Sequence, residues 1–397
     1  MRIGILGSGF IASFYAGALQ GKRGRDEVSV VYSRTLPSAE KFAKTWNVPH
    51  ATTNLHEAIE HHEVDVVVVA LPNNLHKDTV LAAAAAGKPV LCTKPLGRTA
   101  EEAMEMLAAV ESAGVFAGYL EDLVYTPKTI KALKSVHGGA IGDVLWVRSR
   151  ETHPGPHSDW FWNREISGGG ALVDMGCHCI EIARSFIGKD IRPVEVVCWA
   201  DTQVHPVDVE DHAIGMVRYE NGAIGQFEVS WTFRGGMDLR DEVAGTEGTI
   251  WLNHWLRTGL EIYSAGGEAD YVAEKAESST GWLFPVGDET SALGYVDMFD
   301  DVLGSLENGT APTETFYDGL VVNAIMDAAY RSVTSKKWES IDLPIWRGRN
   351  NVENIAVRRE FDCEHYLVKK ERMPDGSNKV ILRNKSTGAI SQRFEGG

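Results

Sequence analysis

The sequence predicts an α/β protein in which a doubly wound parallel sheet precedes an α+β domain with a large, mostly antiparallel open sheet. Short apolar segments alternate with helical patterns to about residue 120, as in a parallel sheet covered by helices. From about residue 143, strand patterns follow one another, which indicates antiparallel pairing. The chain is therefore expected to contain two domains, at 1–122 and 123–345, and an extension at 346–397.

The first strand, turn and helix carry a glycine motif. Ile3–Leu6 predicts a buried strand and runs into Gly7–Ala12, which reads G-x-G-x-x-A before a helix that ends at Leu19. The first glycine allows a tight turn, the second lets the backbone approach a pyrophosphate, and the small third residue lets helix pack on strand. A second strand, Val28–Tyr32, follows, so the motif stands where a dinucleotide site needs it.

The same segment has an alternative interpretation as a secretory signal, because Arg2 precedes an apolar stretch that ends in small residues at 16–18. Glycines at dinucleotide spacing interrupt that stretch, and cleavage would remove the first strand of the fold. The dinucleotide interpretation is therefore favoured.

A lysine ends a later strand of the predicted sheet. The Ala-rich helix Val80–Ala86 stops at Gly87, and residues 89–97 then place Lys94 at the carboxyl end of a short apolar strand. Ligands of open α/β sheets bind outside the carboxyl ends of the strands. Lys94 is therefore interpreted as a proton donor or as a residue that binds a hydroxyl group of the ligand. The alternative is a surface turn, of which Lys-Pro alone is also typical. Two further apolar segments read as strands of this sheet: Val64–Ala70 and Val115–Tyr119.

Residues 168–178 combine a glycine-rich loop with a helix that is expected to start near Ala171. Asp174 and His178 are four residues apart and would share one helix face. A carboxylate beside an imidazole can act as a general acid/base pair, because histidine titrates near neutral pH. From these residues alone, a salt-bridge pair on an ordinary helix stays an alternative.

The second domain is predicted from strand and helix patterns in order. Its strands are expected at Val144–Glu151, Val194–Ala200, Ala213–Tyr219, Ala223–Trp231, Glu242–Ala244, Thr249–Leu252 and Leu260–Tyr263. Residues 220–222 predict a hairpin turn, and helices return at Tyr295–Leu306 and Leu320–Val333. In the extension, Val380–Asn384 and Ala389–Phe394 predict a β-hairpin.

Taken together, these motifs resemble the Gfo/Idh/MocA family of NAD(P)-dependent oxidoreductases over about residues 1–345. The matching segments occur in the family's order: Gly7–Ala12, Leu71–His76, Thr93–Pro95, Gly168–His178 and Phe316–Ser332. The resemblance implies an N-terminal Rossmann domain and hydride transfer between a nicotinamide cofactor and a ring secondary hydroxyl of a sugar, glycoside or polyol. It also implies a homo-oligomer, a dimer or tetramer, associated through the sheet of the second domain.

The resemblance also implies residue roles. His178 would be the general base on the substrate hydroxyl, Lys94 would orient that hydroxyl, and Asp174 would contact the substrate or the histidine. The family usually has Glu before the lysine, whereas this chain has Thr93, which leaves the ionisation state of Lys94 open. The residues expected to contact the cofactor are Gly7, Gly9, Phe10, Ile11, Ala12, Ser33, Arg34, Leu71, Asn73, His76, Lys94, Pro95 and Glu121.

The end of the second strand bears on the choice between NAD and NADP. NAD enzymes place Asp or Glu there for the ribose hydroxyls, whereas Arg accommodates a 2′-phosphate. Residues 32–35 contain Arg34 and no acid, which slightly favours NADP, although Arg34 stacked on the adenine is an alternative.

Residues 152–165 are predicted to form the segment that binds the substrate. Aromatic faces with polar neighbours suit a sugar ring, so His153, His157, Trp160 and Trp162 are expected to line one pocket. Arg164 is the candidate for an anionic substituent. A core-packed aromatic cluster is the alternative.

Composition narrows the function class. The 397 residues carry a net charge of −16, which argues against nucleic acid as a partner, and no apolar run approaches the roughly 18 residues that span a membrane. Five cysteines without framework spacing favour a reducing, cytoplasmic location. No metal is expected, because Cys177 and Cys179 beside His178 have no second cluster to complete a tetrahedral set.

Three functions are thus considered. The leading one is a sugar or polyol dehydrogenase. The second is a redox-neutral, NAD-dependent glycosidase that oxidises C3 transiently and cleaves by elimination. The third is a non-catalytic NAD(P)-binding sensor or regulator, against which the presence of Lys94, Asp174 and His178 argues.

Overall fold

The computed structural model describes residues 1–20, 23–256, 259–267, 271–355 and 359–396. The chain divides into two compact units, Met1–Val352 and Glu353–Gly397. The first unit contains two large sheets, and the second contains one small sheet.

The first large sheet has six parallel strands. Its strands are β1 (Arg2–Leu6), β2 (Glu27–Tyr32), β3 (His50–Thr52), β4 (Val66–Val69), β5 (Val90–Thr93) and β6 (Ala117–Leu120). Their order in the sheet is β3-β2-β1-β4-β5-β6, so the chain reverses direction across the sheet next to β1. All four residues of β4 are buried valines, as expected for a central strand that is covered on both faces. The predicted doubly wound parallel sheet is confirmed.

Helices join these strands and continue into the rest of the unit. They are α1 (Phe10–Leu19), α2 (Leu36–Trp46), α3 (Leu55–Glu60), α4 (His76–Ala85), α5 (Ala100–Ala113) and α6 (Pro127–His137). The later helices are α7 (Arg164–Ser167), α8 (Cys177–Ile187), α9 (Glu289–Ala292), α10 (Tyr295–Asn308) and α11 (Phe316–Ser335).

The second large sheet has seven strands and is mostly antiparallel, as predicted. Its strands are β7 (Val144–Thr152), β8 (Pro193–Asp201), β9 (His212–Tyr219), β10 (Ile224–Ser230), β11 (Asp238–Gly245), β12 (Thr249–Asn253) and β15 (Glu339–Ser340). Their order is β12-β11-β7-β10-β9-β8-β15, and β7 and β10 form the parallel pair. Helix α8 packs against β7 and β10, and α11 packs against β8, so these two helices cover one face of the sheet.

Two predicted elements differ from those observed. The strand predicted at Leu260–Tyr263 is β13 (Ile262–Ser264), which pairs with β14 (Gly281–Leu283) in a separate two-stranded sheet. The helix expected from Ala171 begins with a π-helical segment, Leu172–Gly176, before α8. Such π-segments are rare and are frequent at functional sites.

The second unit contains a four-stranded antiparallel sheet. Its strands are β16 (Arg359–Glu360), β17 (His365–Arg372), β18 (Asn378–Asn384) and β19 (Ile390–Glu395), in that order. Strands β18 and β19 form the predicted hairpin. Across the described ranges of both units, we find no helix that combines the length and apolar character needed to cross a membrane.

Candidate active site

A cleft of about 760 Å³ lies at the carboxyl ends of the strands of the first sheet. One part of its wall is the glycine loop after β1 together with the residues that follow β2, β4 and β5. The other part comes from the end of β7, residues 156–161, the π-segment, the start of α8 and Glu274–Lys275. The cleft therefore joins the predicted dinucleotide loop to the predicted catalytic residues.

The glycine loop leaves room that a ligand can fill. Gly7 has a φ of +125°, and a Cβ there would meet the carbonyl oxygen of Ala70 at 2.1 Å. By contrast, a Cβ on Gly9 would meet no atom within 4 Å. Gly9 is also the N-cap of α1, and no side chain caps that helix. Free backbone N–H groups beside open space form the cradle that a pyrophosphate needs, so these residues fit a dinucleotide.

Lys94 is held as a cation by Asp174. Its Nζ donates to the backbone carbonyl of Asp174 at 2.7 Å and to the Oδ1 atom of Asp174 at 3.1 Å. Burial alone would lower the pKa of Lys94, but the charge of Asp174 and those of other acidic groups nearby together outweigh burial, and the pKa is raised. The hydroxyl of Thr93 does not serve the lysine, since it bonds the Tyr15 hydroxyl at 2.7 Å. Thr93 carries no negative charge to pair with Lys94. Asp174, in the π-helical segment, supplies that charge instead.

Asp174 is an anion fixed from two sides. Its Oδ2 atom accepts from the indole N–H of Trp231 at 3.0 Å, while its Oδ1 atom accepts from Lys94. Burial opposes ionisation of Asp174, but the charges of Lys94 and Lys275 and the hydrogen bond from Lys94 lower the pKa of the carboxyl. Asp174 is thus available as a hydrogen-bond acceptor and as the neutralising charge for Lys94.

His178 has a different carboxylate partner. Its Nδ1 atom is hydrogen-bonded to the Oε1 atom of Glu121, which comes from the segment after β6 and is fully buried. Burial and the charge of Lys94 lower the pKa of His178 to about 3, so the imidazole is neutral. Burial raises the pKa of Glu121 to about 8. With Nδ1 engaged, Nε2 is the nitrogen of His178 that is available to a ligand in the cleft.

The glycine-rich loop before the π-segment is held by Glu210. The Oε1 atom of Glu210 accepts from the backbone N–H groups of Gly170 and Leu172 at 2.9 and 3.0 Å and from the hydroxyl of Tyr330 at 2.8 Å. A Cβ on Gly170 would meet the carbonyl oxygen of Glu210 at 1.9 Å. The glycine therefore permits a close approach that positions the start of the π-segment.

His153 is a neutral donor in the wall of the cleft. Its Nδ1 atom accepts from the backbone N–H of Gly155 at 3.0 Å, which places the ring proton on Nε2. That atom lies 3.9 Å from the Oδ2 atom of Asp174. Burial and the charge of Lys275 lower the pKa of His153 to about 3, so the ring stays neutral.

Among the residues of the cleft that the sequence did not indicate are Glu274 and Lys275. Glu274 accepts from the ring Nε2 of His157 at 3.1 Å, and Lys275 donates to the carbonyl oxygen of Gly155 at 2.7 Å. They lie in an irregular segment without strand or helix periodicity, so no sequence signal indicated them.

Most of the predicted site residues line the cleft. They are Gly7, Gly9, Phe10, Ile11, Ser33, Arg34, Leu71, Asn73, Lys94, Pro95, His153, His157, Trp160, Asp174 and His178.

Five predicted residues lie outside the lining. Ala12 is fully buried in α1. The imidazole of His76 is fully buried and bonds the carbonyl oxygens of Leu71 and Pro95, so it supports the strand ends from behind. Glu121 is the hydrogen-bond partner of His178.

The other two belong to the predicted substrate segment. Trp162 packs edge-on against Trp231, with ring centroids 4.9 Å apart. The guanidinium of Arg164 is exposed and donates to the carbonyl oxygen of Asp208 at 3.4 Å. Its position does not support the expected contact with an anionic substituent.

Comparison with protein families identifies two matching regions. Residues 1–119 match the oxidoreductase family with an NAD-binding Rossmann fold, and residues 129–251 match the GFO/IDH/MocA C-terminal domain.

Individual proteins give the same match over longer stretches. Levoglucosan dehydrogenase of Pseudarthrobacter phenanthrenivorans is 28% identical over 77% of this chain and 87% of that protein. Trans-1,2-dihydrobenzene-1,2-diol dehydrogenase of Mus musculus is 30% identical over 66% of this chain and 78% of that protein. The crystal structure of GenD2 from gentamicin A biosynthesis, in complex with NAD, superposes with a TM-score of 0.81 at 31% identity. The superposition covers 86% of this chain and 97% of that one.

Proposed function

This chain belongs to the Gfo/Idh/MocA family of NAD-dependent oxidoreductases, and from that membership we propose that it oxidises a ring secondary hydroxyl of a sugar or polyol. One observation carries the proposal: a neutral imidazole, His178, and a cationic amine, Lys94, line the same cleft as the open cradle at Gly9. Alcohol oxidation needs a base for the hydroxyl proton and a positive charge beside the oxygen, and these two residues have those properties.

The cofactor would be held by the glycine loop and by the residues that follow the neighbouring strands. The N–H groups at the start of α1 would take the pyrophosphate at Gly9, with Ser33 and Arg34 near the adenosine and Leu71, Asn73 and Pro95 along the strand ends. When bound, the nicotinamide ring supplies the acceptor for the hydride that leaves the substrate carbon.

Residues of this chain would accept the hydroxyl proton and stabilise the negative charge that develops on the substrate oxygen. As the carbinol C–H and O–H bonds break, the carbonyl C=O bond forms, and the hydroxyl proton moves to the Nε2 atom of His178. Lys94 keeps its proton, because Asp174 raises its pKa, and donates a hydrogen bond to the oxygen as negative charge develops there. Glu121 holds the ring of His178 through Nδ1 and stabilises the imidazolium once it has formed.

The substrate class is supported by the cleft wall and by the relatives. Trp160 stacks on Phe161 with ring centroids 3.8 Å apart, and both line the cleft with the N–H donor of His153. An aromatic face beside polar groups suits a sugar or cyclitol ring. Levoglucosan dehydrogenase, whose name gives a sugar derivative as its substrate, is among the relatives.

The cofactor preference we propose is NADP, on the position of Arg34. This residue is exposed at the end of β2 and lines the cleft, and residues 32–35 contain no acid for the ribose hydroxyls. The related GenD2 structure contains NAD, which makes NAD the second candidate. Titration of the protein with NADPH and with NADH distinguishes them, and tighter NADH binding would contradict the role given to Arg34.

Three further features are also proposed. The seven-stranded sheet would form the homo-oligomer interface, since its strands present exposed Trp199, Ile214, Met216 and Trp251. All five cysteines are free, which fits a reducing, cytoplasmic location. No metal is included in the proposal, because Glu121 and His178 bond each other.

The proposal is tested with purified protein, NAD or NADP, and a panel of sugars, polyols and aryl glycosides, while absorbance at 340 nm and aglycone release are followed together. Net cofactor reduction by a sugar is expected. Aglycone release without net reduction would instead support redox-neutral glycoside cleavage. Cofactor and sugar binding without either reaction would support a sensor.

A further inference from the structure

Glu151 occupies a position in the cleft that no part of the proposed mechanism uses. It is the penultimate residue of β7, between β10 and β11 in the sheet. Side chains alternate across a strand, so Glu151 shares a face with the buried Val147 and Ser149. That face turns toward α8, and at its end Glu151 lines the cleft while only 6% exposed.

One carboxyl oxygen of Glu151 lacks a hydrogen-bond partner in the described part of the chain. Its Oε2 atom is buried and has no hydrogen-bond partner among the described residues. Asp174 and His178, in the same cleft, are by contrast held by hydrogen bonds to Lys94 and to Glu121. Buried polar groups are bonded in the great majority of cases, so one that lines a cleft without a partner marks a ligand contact.

The charge around Glu151 indicates the chemistry of that ligand. Burial raises the pKa of Glu151 well above its usual range, against the opposing charge of Lys94, which favours the protonated carboxyl group. A neutral carboxyl group both donates and accepts a hydrogen bond, as a hydroxyl group does. An anionic ligand group would meet Asp174 and Asp122, and an ammonium group would meet Lys94 and Lys275.

We propose that Glu151 recognises the substrate by hydrogen-bonding a second hydroxyl group of an uncharged, polyhydroxylated ring, beside the hydroxyl that Lys94 and His178 bind. This inference rests on the proposed function and deepens it. Glu151 is a binding residue here, because it moves no proton in the reaction, and its loss should weaken ring binding rather than cofactor binding.

Two replacements separate hydrogen bonding from charge. Glu151→Gln keeps the shape and both hydrogen-bonding functions without an ionisable group, so sugar affinity should stay within about 3-fold of wild type. Glu151→Leu fills similar volume with no polar atom and should lose roughly 10- to 100-fold in affinity. Glu165→Gln, on an exposed residue outside the cleft, is the matched control and should change nothing.

The affinity of a sugar for the enzyme–NAD(P)H complex is measured by calorimetry. Because this measurement needs no turnover, it tests the role of Glu151 in binding separately from catalysis. The probes are levoglucosan, myo-inositol and D-glucose, then the monodeoxy and amino analogues of the tightest binder. One deoxy analogue should bind wild type and Glu151→Leu equally, because it lacks the partner hydroxyl.

Four results would overturn the inference. If Glu151→Gln is as defective as Glu151→Leu, or if an amino analogue binds wild type better than its parent sugar, an ionised carboxylate is used. Equal binding of every sugar by wild type and Glu151→Leu would remove Glu151 from recognition. If wild type binds NAD(P)H but none of the three sugars, the proposed function fails and the inference fails with it. If the sugars bind as expected but no cofactor is reduced, only the proposed reaction fails.

Discussion

Replacing Glu121 with glutamine should remove a pH dependence of the oxidation rate that arises from the bond between Glu121 and the base, His178. In the wild-type protein Glu121 has a pKa of about 8 and bonds the Nδ1 atom of His178. Above that pH the carboxylate accepts the Nδ1–H, which leaves Nε2 with a free lone pair for the substrate proton. Below it the carboxyl group donates to Nδ1, so the single ring proton lies on Nε2 and the base is blocked. Oxidation should therefore speed up as pH rises through about 8.

The size of the effect follows from the titration. With a pKa of about 8, Glu121 is ionised in roughly one tenth of molecules at pH 7 and nine tenths at pH 9. The wild-type kcat/KM for oxidation should thus rise about 9-fold between those values. In Glu121→Gln the amide does not titrate and cannot neutralise the imidazolium. We expect the rise near pH 8 to disappear and kcat to fall at least about 10-fold at pH 9.

The assay follows absorbance at 340 nm from pH 6 to pH 10 at constant ionic strength, with the sugar that the panel identifies. Glu121→Asp keeps a carboxylate and should retain a pH step. Glu121 lies outside the cleft lining, so both variants should bind NAD(P)H normally. A Glu121→Gln enzyme with the wild-type pH profile and wild-type kcat would refute the pairing of Glu121 with His178 as the basis of the profile.

Three other predictions concern residues that line or adjoin the cleft. Gly9→Val should fold, because the space around a Cβ there is open, but should lose cofactor binding by more than about 100-fold; undiminished affinity in a titration would refute the cradle. Lys94→Ala and His178→Ala should each lower kcat by roughly 100-fold or more while cofactor binding persists; near-normal kcat in either variant would remove that residue from the mechanism. Trp160→Ala should raise KM with little change in melting temperature, whereas Trp162→Ala, which loses its contact with Trp231, should lower the melting temperature; the reverse pattern would contradict the placement of the two rings.

Local sequence patterns were enough to predict the parts of the site that lie at strand ends. The apolar strand before Lys94 and the strand–turn–helix context of Gly7–Ala12 are local signals, and Lys94 and residues 7–11 line the cleft. The helical spacing of Asp174 and His178 likewise placed both side chains there. In each case the chain direction at the end of an element determines where the side chain lies.

The partners of those residues could not be predicted, because they are distant in sequence. Glu121 is 57 residues from His178, and Trp231 is 57 residues from Asp174, so no local pattern connects them. The family resemblance implies a cofactor contact for Glu121, whereas its side chain is fully buried and bonds His178. Lys275, in an irregular segment, is 120 residues from Gly155, whose carbonyl it binds.

One further signal in the sequence indicates the position of Glu151. Period-two alternation in β7 places Glu151 on the same face as Val147 and Ser149, which marks it as a buried acid at a strand end. Within the aromatic segment, composition alone did not separate Trp160, which lines the cleft, from Trp162, which packs against Trp231.

The claim that this protein transfers a hydride from a ring carbon is tested most directly with a sugar that carries deuterium on its ring carbons. The account predicts that each reduced cofactor molecule formed by the wild-type protein contains one deuterium, seen by mass spectrometry, and that His178→Ala forms it at least about 100-fold more slowly. Reduced cofactor without deuterium, or no reduced cofactor with any sugar that binds the enzyme–cofactor complex, would contradict it.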